Sequence, residues 1–217
     1  MNALLSPPLE AMLLDRRIVL RSVSWDSYIT IAEALDSQPG LRLTYDRGSL
    51  EFMTTSNLHE FLKKWYSRFV EVITEECDLP IATFGSMTFQ RADLEQGFEP
   101  DDCFWIEHEL QLRGRRDYHP TNDSPPDLLI EIEVSRSEID RMAIYATMGI
   151  PEVWRIDAQQ LIIEVLQPDQ TYQQSTSSRS FPNLPITELT RFLPRSPQDD
   201  SLTLIRALRN WVRQHTP

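Results

Sequence analysis

Four acidic residues at separate points of the chain have the type and spacing of ligands for a hard cation. Asp101 starts one expected strand, Glu131 and Glu133 share a face of the next, and Glu60 lies in an expected helix. Carboxylates on neighbouring strands can converge with a helix carboxylate on one ion. Mg²⁺ prefers few carboxylates together with water and phosphate oxygens. This pattern is compatible with a metal site that activates water for hydrolysis of a phosphate ester.

The same residues also fit an ordinary structural interpretation. A strand with one polar face is typical of a half-solvated antiparallel sheet. Asp101 and Asp102 are compatible with a turn, and Glu60 can pair with Lys64 four positions later in a helix. Spacing alone leaves both interpretations open.

The elements that would position these carboxylates follow from periodicity and turn residues. Ser24 is expected to cap the helix SWDSYITIAEAL, and LRLTYDRGSLEFMTT predicts a β-hairpin. Ser56 or Asn57 is expected to cap a long helix that begins at LHEFL. A strand then carries Glu131, and the chain continues as helix and strand.

This strand–helix–strand order predicts a crossover between parallel strands. Ser137 is expected to be the N-cap of the helix, which ends at Met148 before Gly149. The predicted fold class is α/β (α+β), with a mixed central sheet flanked by helices.

Size and composition predict one domain at residues 21–217, preceded by a loosely ordered arm at residues 1–20. No apolar run reaches the roughly 18 residues of a membrane helix, and the start does not resemble a secretion signal. Cys77 and Cys103 have no metal-type or disulfide spacing, so a cytoplasmic location is expected. An isologous homodimer is the commonest assembly for such proteins.

The formal net charge of −12 argues mildly against a nucleic-acid partner. That argument weakens if the carboxylates surround a divalent cation, because the ion reverses the local field. The sequence contains no P-loop, no G-x-S-x-G elbow and no zinc-type histidine spacing.

Several blocks recur here in the order of one bacterial family. They are SWDSY, RLTYDRGSLEFM, the HE that opens a long helix, GSMTFQRADLEQGFEPDDCFWI and PDLLIEIEVSRSEIDRMAIYATMGIPEVW. In this order the chain resembles the restriction-endonuclease-like proteins of the PD-(D/E)XK nuclease superfamily, from about Arg21 to the C-terminal helix.

The resemblance implies a nuclease that uses Mg²⁺ or Mn²⁺ to cleave DNA. The aspartate of the EPD motif corresponds to Asp101, the strand glutamate to Glu131 and the helix carboxylate to Glu60. These three would hold the metal ion.

Two departures from the superfamily pattern concern the catalytic positions. The lysine position of E-x-K is Glu133, and the lysine that relatives supply from the next helix is Arg141. Arginine can stabilise negative charge but stays protonated and cannot act as a general base. Glu133 could recruit a second ion or pair with Arg141 or Arg136. The hypothesis is a metal-dependent endodeoxyribonuclease, and the alternative is a nuclease-fold protein that binds nucleic acid or dimerises without catalysis.

Overall fold

The computed structural model describes residues 14–35, 38–157 and 159–216, which form two β-sheets flanked by helices. The strands are β1 (Arg16–Leu20), β2 (Leu41–Asp46), β3 (Ser49–Thr54), β4 (Ala82–Thr83), β5 (Phe89–Arg91), β6 (Gln96–Phe98), β7 (Asp102–Trp105), β8 (Leu128–Ile132), β9 (Glu152–Ile156), β10 (Leu161–Leu166) and β11 (Tyr172–Ser175). The helices are α1 (Trp25–Leu35), α2 (Asn57–Glu76), α3 (Glu109–Leu112), α4 (Arg141–Thr147) and α5 (Ser201–His215), with a 3₁₀-helix at Ile186–Phe192. The predicted mixed α/β class is confirmed.

The two sheets differ in strand direction. The first has the order β1-β3-β2-β6-β5 and is antiparallel throughout. The second has the order β11-β10-β9-β8-β7-β4 and is mixed, because β8 and β9 run parallel. The second sheet is the expected mixed sheet, while the first is an addition that the sequence did not predict.

The predicted N-terminal arm only partly falls within the described residues. Residues 1–13 lie outside them, and residues 16–20 form strand β1, which pairs with β3. The predicted domain boundary at residue 21 stays a prediction.

The hairpin of β2 and β3 is confirmed, with Arg47 and Gly48 at its turn. Both residues have positive φ angles, of 43° and 94°, which is the geometry of a two-residue type I′ turn. The register pairs Asp46 with Ser49 and places Glu51 in the middle of β3, between β2 and β1.

Helix α2 begins as expected after Ser56, whose hydroxyl accepts a hydrogen bond from the amide of His59 at 3.2 Å. One face of the helix is apolar and buried, with Leu62, Phe69 and Ile73 in a core shared with β8 and α5. The amphipathic pattern therefore fixes the helix over the second sheet, with its N-terminus near the candidate site.

The crossover from β8 through α4 to β9 is confirmed, but the expected helix start is wrong. The N-cap is Asp140, whose carboxylate accepts from the amide of Ala143 at 3.1 Å. Ser137 instead accepts from the amide of Ile139 and donates to Glu51. The helix ends before Gly149, which has a φ of +74°.

Strand β8 is buried on both faces, so the half-solvated interpretation of its glutamate face is wrong. Ile130 and Ile132 lie in the core under α2. Leu129 lies in a second apolar cluster with residues of α4, and Glu131 is 2% exposed. A carboxylate in such a place needs a partner, because an unpaired buried charge is strongly unfavourable.

No helix among the described residues is both long enough and apolar enough to cross a membrane.

Candidate active site

Asp101 lies between β6 and β7 and is 1% exposed. Its Oδ1 is 2.7 Å from Nε2 of His59 in α2. Its Oδ2 accepts a hydrogen bond of 2.7 Å from the backbone amide of Ile132 in β8. The helix and the neighbouring strand thus each hold one oxygen of the carboxylate.

His59 links Asp101 to a second buried carboxylate, that of Asp15. The ring is fully buried, and its Nδ1 is 3.0 Å from Oδ2 of Asp15. Burial alone would lower the pKa of His59, but its hydrogen bonds to the two aspartates outweigh burial and raise the pKa to about 9. The imidazole is therefore cationic at neutral pH and donates from both nitrogens. Burial would raise the pKa of Asp101, and the contacts with His59 reverse this and lower it.

The sequence does not predict a role for His59, because the histidines of the chain have no zinc-type spacing. Its partner Asp15 lies 44 positions away. No local pattern could reveal that contact.

Glu131 projects from β8 into a buried group of donors. The hydroxyl of Tyr145 donates to its Oε1 at 2.6 Å, and Nη2 of Arg141 donates to the same oxygen at 3.1 Å. Nη1 of Arg141 lies 2.9 Å from Oε2, yet no hydrogen bond of good geometry reaches that oxygen. We interpret the contact as a close ion pair that leaves Oε2 with unused acceptor capacity.

Glu131 also has an unusual protonation equilibrium. Burial raises its pKa, the guanidinium of Arg141 lowers it and the negative charge of Asp101 raises it, with a net value of about 7. The carboxylate is therefore poised between its neutral and ionised forms near physiological pH.

Arg141 is the first residue of α4, and a second contact fixes its guanidinium. Nη2 donates to the backbone carbonyl of Glu99 at 3.0 Å. Burial favours the neutral form, but the charge of Glu131 outweighs it and raises the pKa of Arg141 above its usual value. Arg141 therefore brings a permanent positive charge to the two carboxylates.

A second buried ion pair, which sequence analysis also missed, lies beside the first. Glu51 of β3 is 1% exposed and accepts from Nη1 of Arg17 at 2.6 Å. The hydroxyl of Ser137 donates to both oxygens of Glu51, and Nε of Arg17 donates to Ser135. These contacts tie the first sheet to the loop between β8 and α4.

Together these groups form a buried charge cluster. It contains four carboxylates and three cations, namely Asp15, Glu51, Asp101 and Glu131 with Arg17, His59 and Arg141. One negative charge thus lacks a counter-charge within the cluster. Burial is the main cause of the raised pKa of Glu131, and the negative charge of Asp101 adds to it.

The residues present fit a divalent cation. Asp101 and Glu131 offer hard oxygen donors, Oε2 of Glu131 is buried without a hydrogen bond, and the cluster has a surplus negative charge. With two carboxylate ligands, the remaining coordination positions of Mg²⁺ are left for water and substrate oxygens, which is the arrangement that this ion prefers. Arg141 opposes the fit, since its guanidinium already neutralises part of the charge of Glu131.

A cavity of about 690 Å³ gives access to Arg141. Arg17, Glu133 and Arg155 also line it, as does the exposed side chain of Arg136. A phosphate group could approach the guanidinium of Arg141 from this side.

Two candidate residues from the sequence lie apart from the cluster. The side chain of Glu60 is exposed and makes no hydrogen bond or ion pair with the described residues. Glu133 is 42% exposed and pairs with Arg155 at 2.8 and 2.9 Å, rather than with Arg141 or Arg136. The structure therefore brings Asp101, Glu131 and Arg141 together, without Glu60 or Glu133.

A group of metal-binding type is also present elsewhere. Among the described residues, Glu107, His108 and Asp127 are the only three His, Cys, Asp or Glu residues with ligand atoms within 4.8 Å of one another. Asp127 already accepts hydrogen bonds from the amides of Ile106 and His108, and its Oδ1 is 2.6 Å from Nδ1 of His108. These hydrogen bonds stabilise the turn before α3.

Comparison with known proteins places the chain in a family. A model of the Uma2 family, described as "Putative restriction endonuclease", matches residues 25–197. The chain belongs to the Uma2 family. The predicted resemblance to restriction-endonuclease-like proteins is thereby confirmed, and the family description indicates a nuclease, a hydrolase that acts on nucleic acid.

The search of curated proteins found no match. Among solved structures, a putative nuclease belonging to DUF820 from Anabaena variabilis ATCC 29413 aligns with a TM-score of 0.47 and 16% identity, over 88% of this chain and 99% of that chain.

The Uma2 match includes only part of the buried charge cluster. His59, Asp101 and Glu131 lie within residues 25–197, whereas Asp15 and Arg17 precede them. The N-terminal contribution to the cluster is therefore a property of this chain that the match does not cover.

Proposed function

We propose that this Uma2 protein is a divalent-metal-dependent endodeoxyribonuclease, with Mg²⁺ or Mn²⁺ held by Asp101 and Glu131. The observation that carries the proposal is the pair of buried carboxylates Asp101 and Glu131, with Oε2 of Glu131 buried and without a hydrogen bond. Nucleases of this family type generally use divalent metals, and the donor set suits such an ion. When bound, the ion would neutralise charge on the phosphate and activate a water molecule.

The chain's own residues hold the reacting groups in place. His59 and the amide of Ile132 keep Asp101 ionised and oriented. Tyr145 orients Glu131 through its hydroxyl hydrogen bond. Because these side chains are already held in place, they need little rearrangement when the reaction occurs.

Arg141 supplies an electrostatic contribution. Its guanidinium stays protonated, so it serves as a charge that holds the phosphate and stabilises the transition state, and it cannot deprotonate water. The same guanidinium competes with a divalent cation for Glu131. We therefore expect weaker metal binding than a lysine at this position would allow.

Glu60 and Glu133 have secondary roles in this proposal. Glu60 can act only through bridging water, because its side chain points to solvent. Glu133 anchors the start of the β8–α4 loop to β9 through Arg155.

A DNA cleavage assay tests the proposal. Supercoiled plasmid and single-stranded DNA are incubated with the protein in EDTA, Mg²⁺ or Mn²⁺, and Asp101→Asn is compared with wild type. Asp102→Asn is the matched control, because Asp102 is a buried neighbour that bonds Thr83 and the amide of Cys103 outside the cluster. We expect metal-dependent nicking that only Asp101→Asn abolishes.

One observation favours a second function, a nuclease-fold protein that binds nucleic acid without cleaving it. The guanidinium of Arg141 already occupies Glu131, one of the two carboxylates that would bind the metal ion. In that case no metal ion would produce cleavage, and DNA binding would depend steeply on salt without a divalent requirement.

We also propose a reducing, cytoplasmic location, supported by the free thiols of Cys77 and Cys103. A homodimer stays a prediction, which sedimentation of the purified protein would test.

A further inference from the structure

The contact between His59 and Asp15 has no part in the mechanism described above, although it is fully buried. The imidazole lies between two carboxylates, 3.0 Å from Asp15 and 2.7 Å from Asp101. Both ring nitrogens are occupied, and the exposed fraction of the side chain is 0%. A ring held at both ends cannot tilt without breaking a charge-assisted hydrogen bond.

Asp15 is itself fixed by other groups. Its Oδ1 accepts a hydrogen bond of 2.8 Å from the amide of Ser56, the N-cap of α2. Its Oδ2 lies 3.9 Å from Nη2 of Arg17, which belongs to β1. Asp15 therefore joins the start of the edge strand to the start of the helix that carries His59.

Because His59 is held in place, it can fix the orientation of the Asp101 carboxylate. A carboxylate oxygen has lone pairs in two directions, and each oxygen of Asp101 accepts one protein hydrogen bond. The remaining lone pairs can face a cation only while His59 and the Ile132 amide hold the carboxylate plane. Groups that orient a metal ligand in this way commonly change metal affinity about 10- to 100-fold when they are removed.

We propose that His59 is a positioning residue for the metal ligand Asp101, and that Asp15 completes this device by fixing the imidazole from the N-terminal segment. The inference rests on the proposed metal site. It assigns to Asp15, which lies outside the family match, a role in assembling that site.

Two substitutions of His59 separate its two contacts. Asparagine places an amide nitrogen near the position of Nδ1 and can keep the contact with Asp15, but it is too short to reach Asp101. Glutamine places its amide nitrogen near Nε2 and can keep the contact with Asp101. Both substitutions remove the imidazole ring. The asparagine variant can still bond Asp15, and the glutamine variant can still bond Asp101.

The measurement is calorimetric titration of the full-length protein with Mn²⁺, without DNA, together with the melting temperature of each variant. We expect His59→Asn to weaken Mn²⁺ binding about 10- to 100-fold and His59→Gln to weaken it much less. Asp101→Asn should abolish binding, and Asp102→Asn should match wild type. At saturating Mn²⁺, cleavage by His59→Asn should recover, as expected for a residue that acts through the ligand.

Several results would overturn the inference. Wild-type affinity in His59→Asn would show that the ring does not position Asp101, and equal losses in both His59 variants would show that the ring acts only by packing. If His59→Asn does not fold, Asp15→Asn replaces it, and unchanged Mn²⁺ affinity in that variant overturns the inference. The proposed function fails separately if wild type and Asp101→Asn both bind no Mn²⁺, and the inference then fails with it.

Discussion

Arg141 stands where the resemblance to the nuclease superfamily predicts a lysine, and its contacts give this difference a physical meaning. The guanidinium contacts both oxygens of Glu131 and the carbonyl of Glu99. A lysine ammonium is a compact charge that cannot span a carboxylate in the same way. The arginine thus stabilises the metal-free site more than a lysine would.

We expect Arg141→Lys to bind Mn²⁺ more tightly than wild type. Loss of one charge-assisted hydrogen bond, worth about 1.5 kcal/mol, corresponds to roughly tenfold in affinity. Calorimetric titration measures the change. Arg155→Lys is the control, because Arg155 pairs with Glu133 and Glu164 outside the cluster. Unchanged or weaker Mn²⁺ binding in Arg141→Lys would show that the guanidinium does not compete with the ion.

Glu131 gives the protein a pH-dependent stability in the absence of metal. Its pKa in the folded state, about 7, lies above the ordinary value of 4.5. The contribution of this group to stability is therefore fully present below the unfolded pKa and is lost as pH rises through the folded pKa.

Urea unfolding in EDTA at pH 5 and pH 8 tests this contribution. Between those pH values, wild type should lose more free energy of unfolding than Glu131→Gln, by up to about 3 kcal/mol, since one pKa unit corresponds to about 1.4 kcal/mol. The exposed residue Glu60 supplies the control Glu60→Gln, which should follow wild type. Parallel losses in wild type and Glu131→Gln would mean that Glu131 ionises normally.

The sequence predicted some of the site residues and could not predict others. Asp101, Glu131 and Arg141 follow from family motifs, and the structure brings them together. His59 and Glu51 bond to Asp15 and Arg17, which are distant in the sequence. Such contacts depend on tertiary packing, and periodicity carries no information about them.

At the scale of elements, α4 controls the position of Arg141. The helix starts at Arg141 because Asp140 caps it, and Ser137 is used instead to bond Glu51. The sequence predicted Ser137 as the cap. That prediction was wrong because the hydroxyl of Ser137 bonds Glu51 of the other sheet, a tertiary contact that no local pattern indicates.

We expect Asp140→Ala to destabilise the protein by about 1 kcal/mol, because it removes the N-cap of α4. Denaturant unfolding measures this cost. Asp140→Asn keeps a capping oxygen, so its free energy of unfolding should stay within a few tenths of a kcal/mol of wild type. An equal loss in both variants would contradict the assigned cap.

The two sheets illustrate the limit of prediction for elements. The β8–α4–β9 crossover was predicted because a parallel pair requires a long connection. The separate sheet of β1, β3, β2, β6 and β5 was not predicted. A hairpin signal shows that two strands pair, but it does not show to which sheet the two strands belong.

At the scale of the whole molecule, the net charge of −12 opposes the approach of DNA. A divalent cation at the buried charge cluster would reduce that repulsion where the phosphate binds. The family assignment and the charge are therefore compatible when a cation is part of the substrate-binding site.

Fluorescence anisotropy with a labelled DNA duplex tests this cation requirement. Ca²⁺ takes oxygen ligands as Mg²⁺ does, and we expect wild type to bind the duplex more tightly in Ca²⁺ than in EDTA, by at least about tenfold. Asp101→Asn in Ca²⁺ should behave like wild type in EDTA. Equal binding in both buffers, with a steep salt dependence, would instead support the binding protein without catalysis.

The most direct test of the proposed metal site is a crystal structure with Mn²⁺, located by its anomalous scattering. We expect a Mn²⁺ peak bonded to Asp101 and Glu131, with the contact between Arg141 and Glu131 Oε2 lengthened from 2.9 Å. An empty site between those carboxylates at saturating Mn²⁺, or a peak only at Glu107, His108 and Asp127, would overturn the proposed metal site.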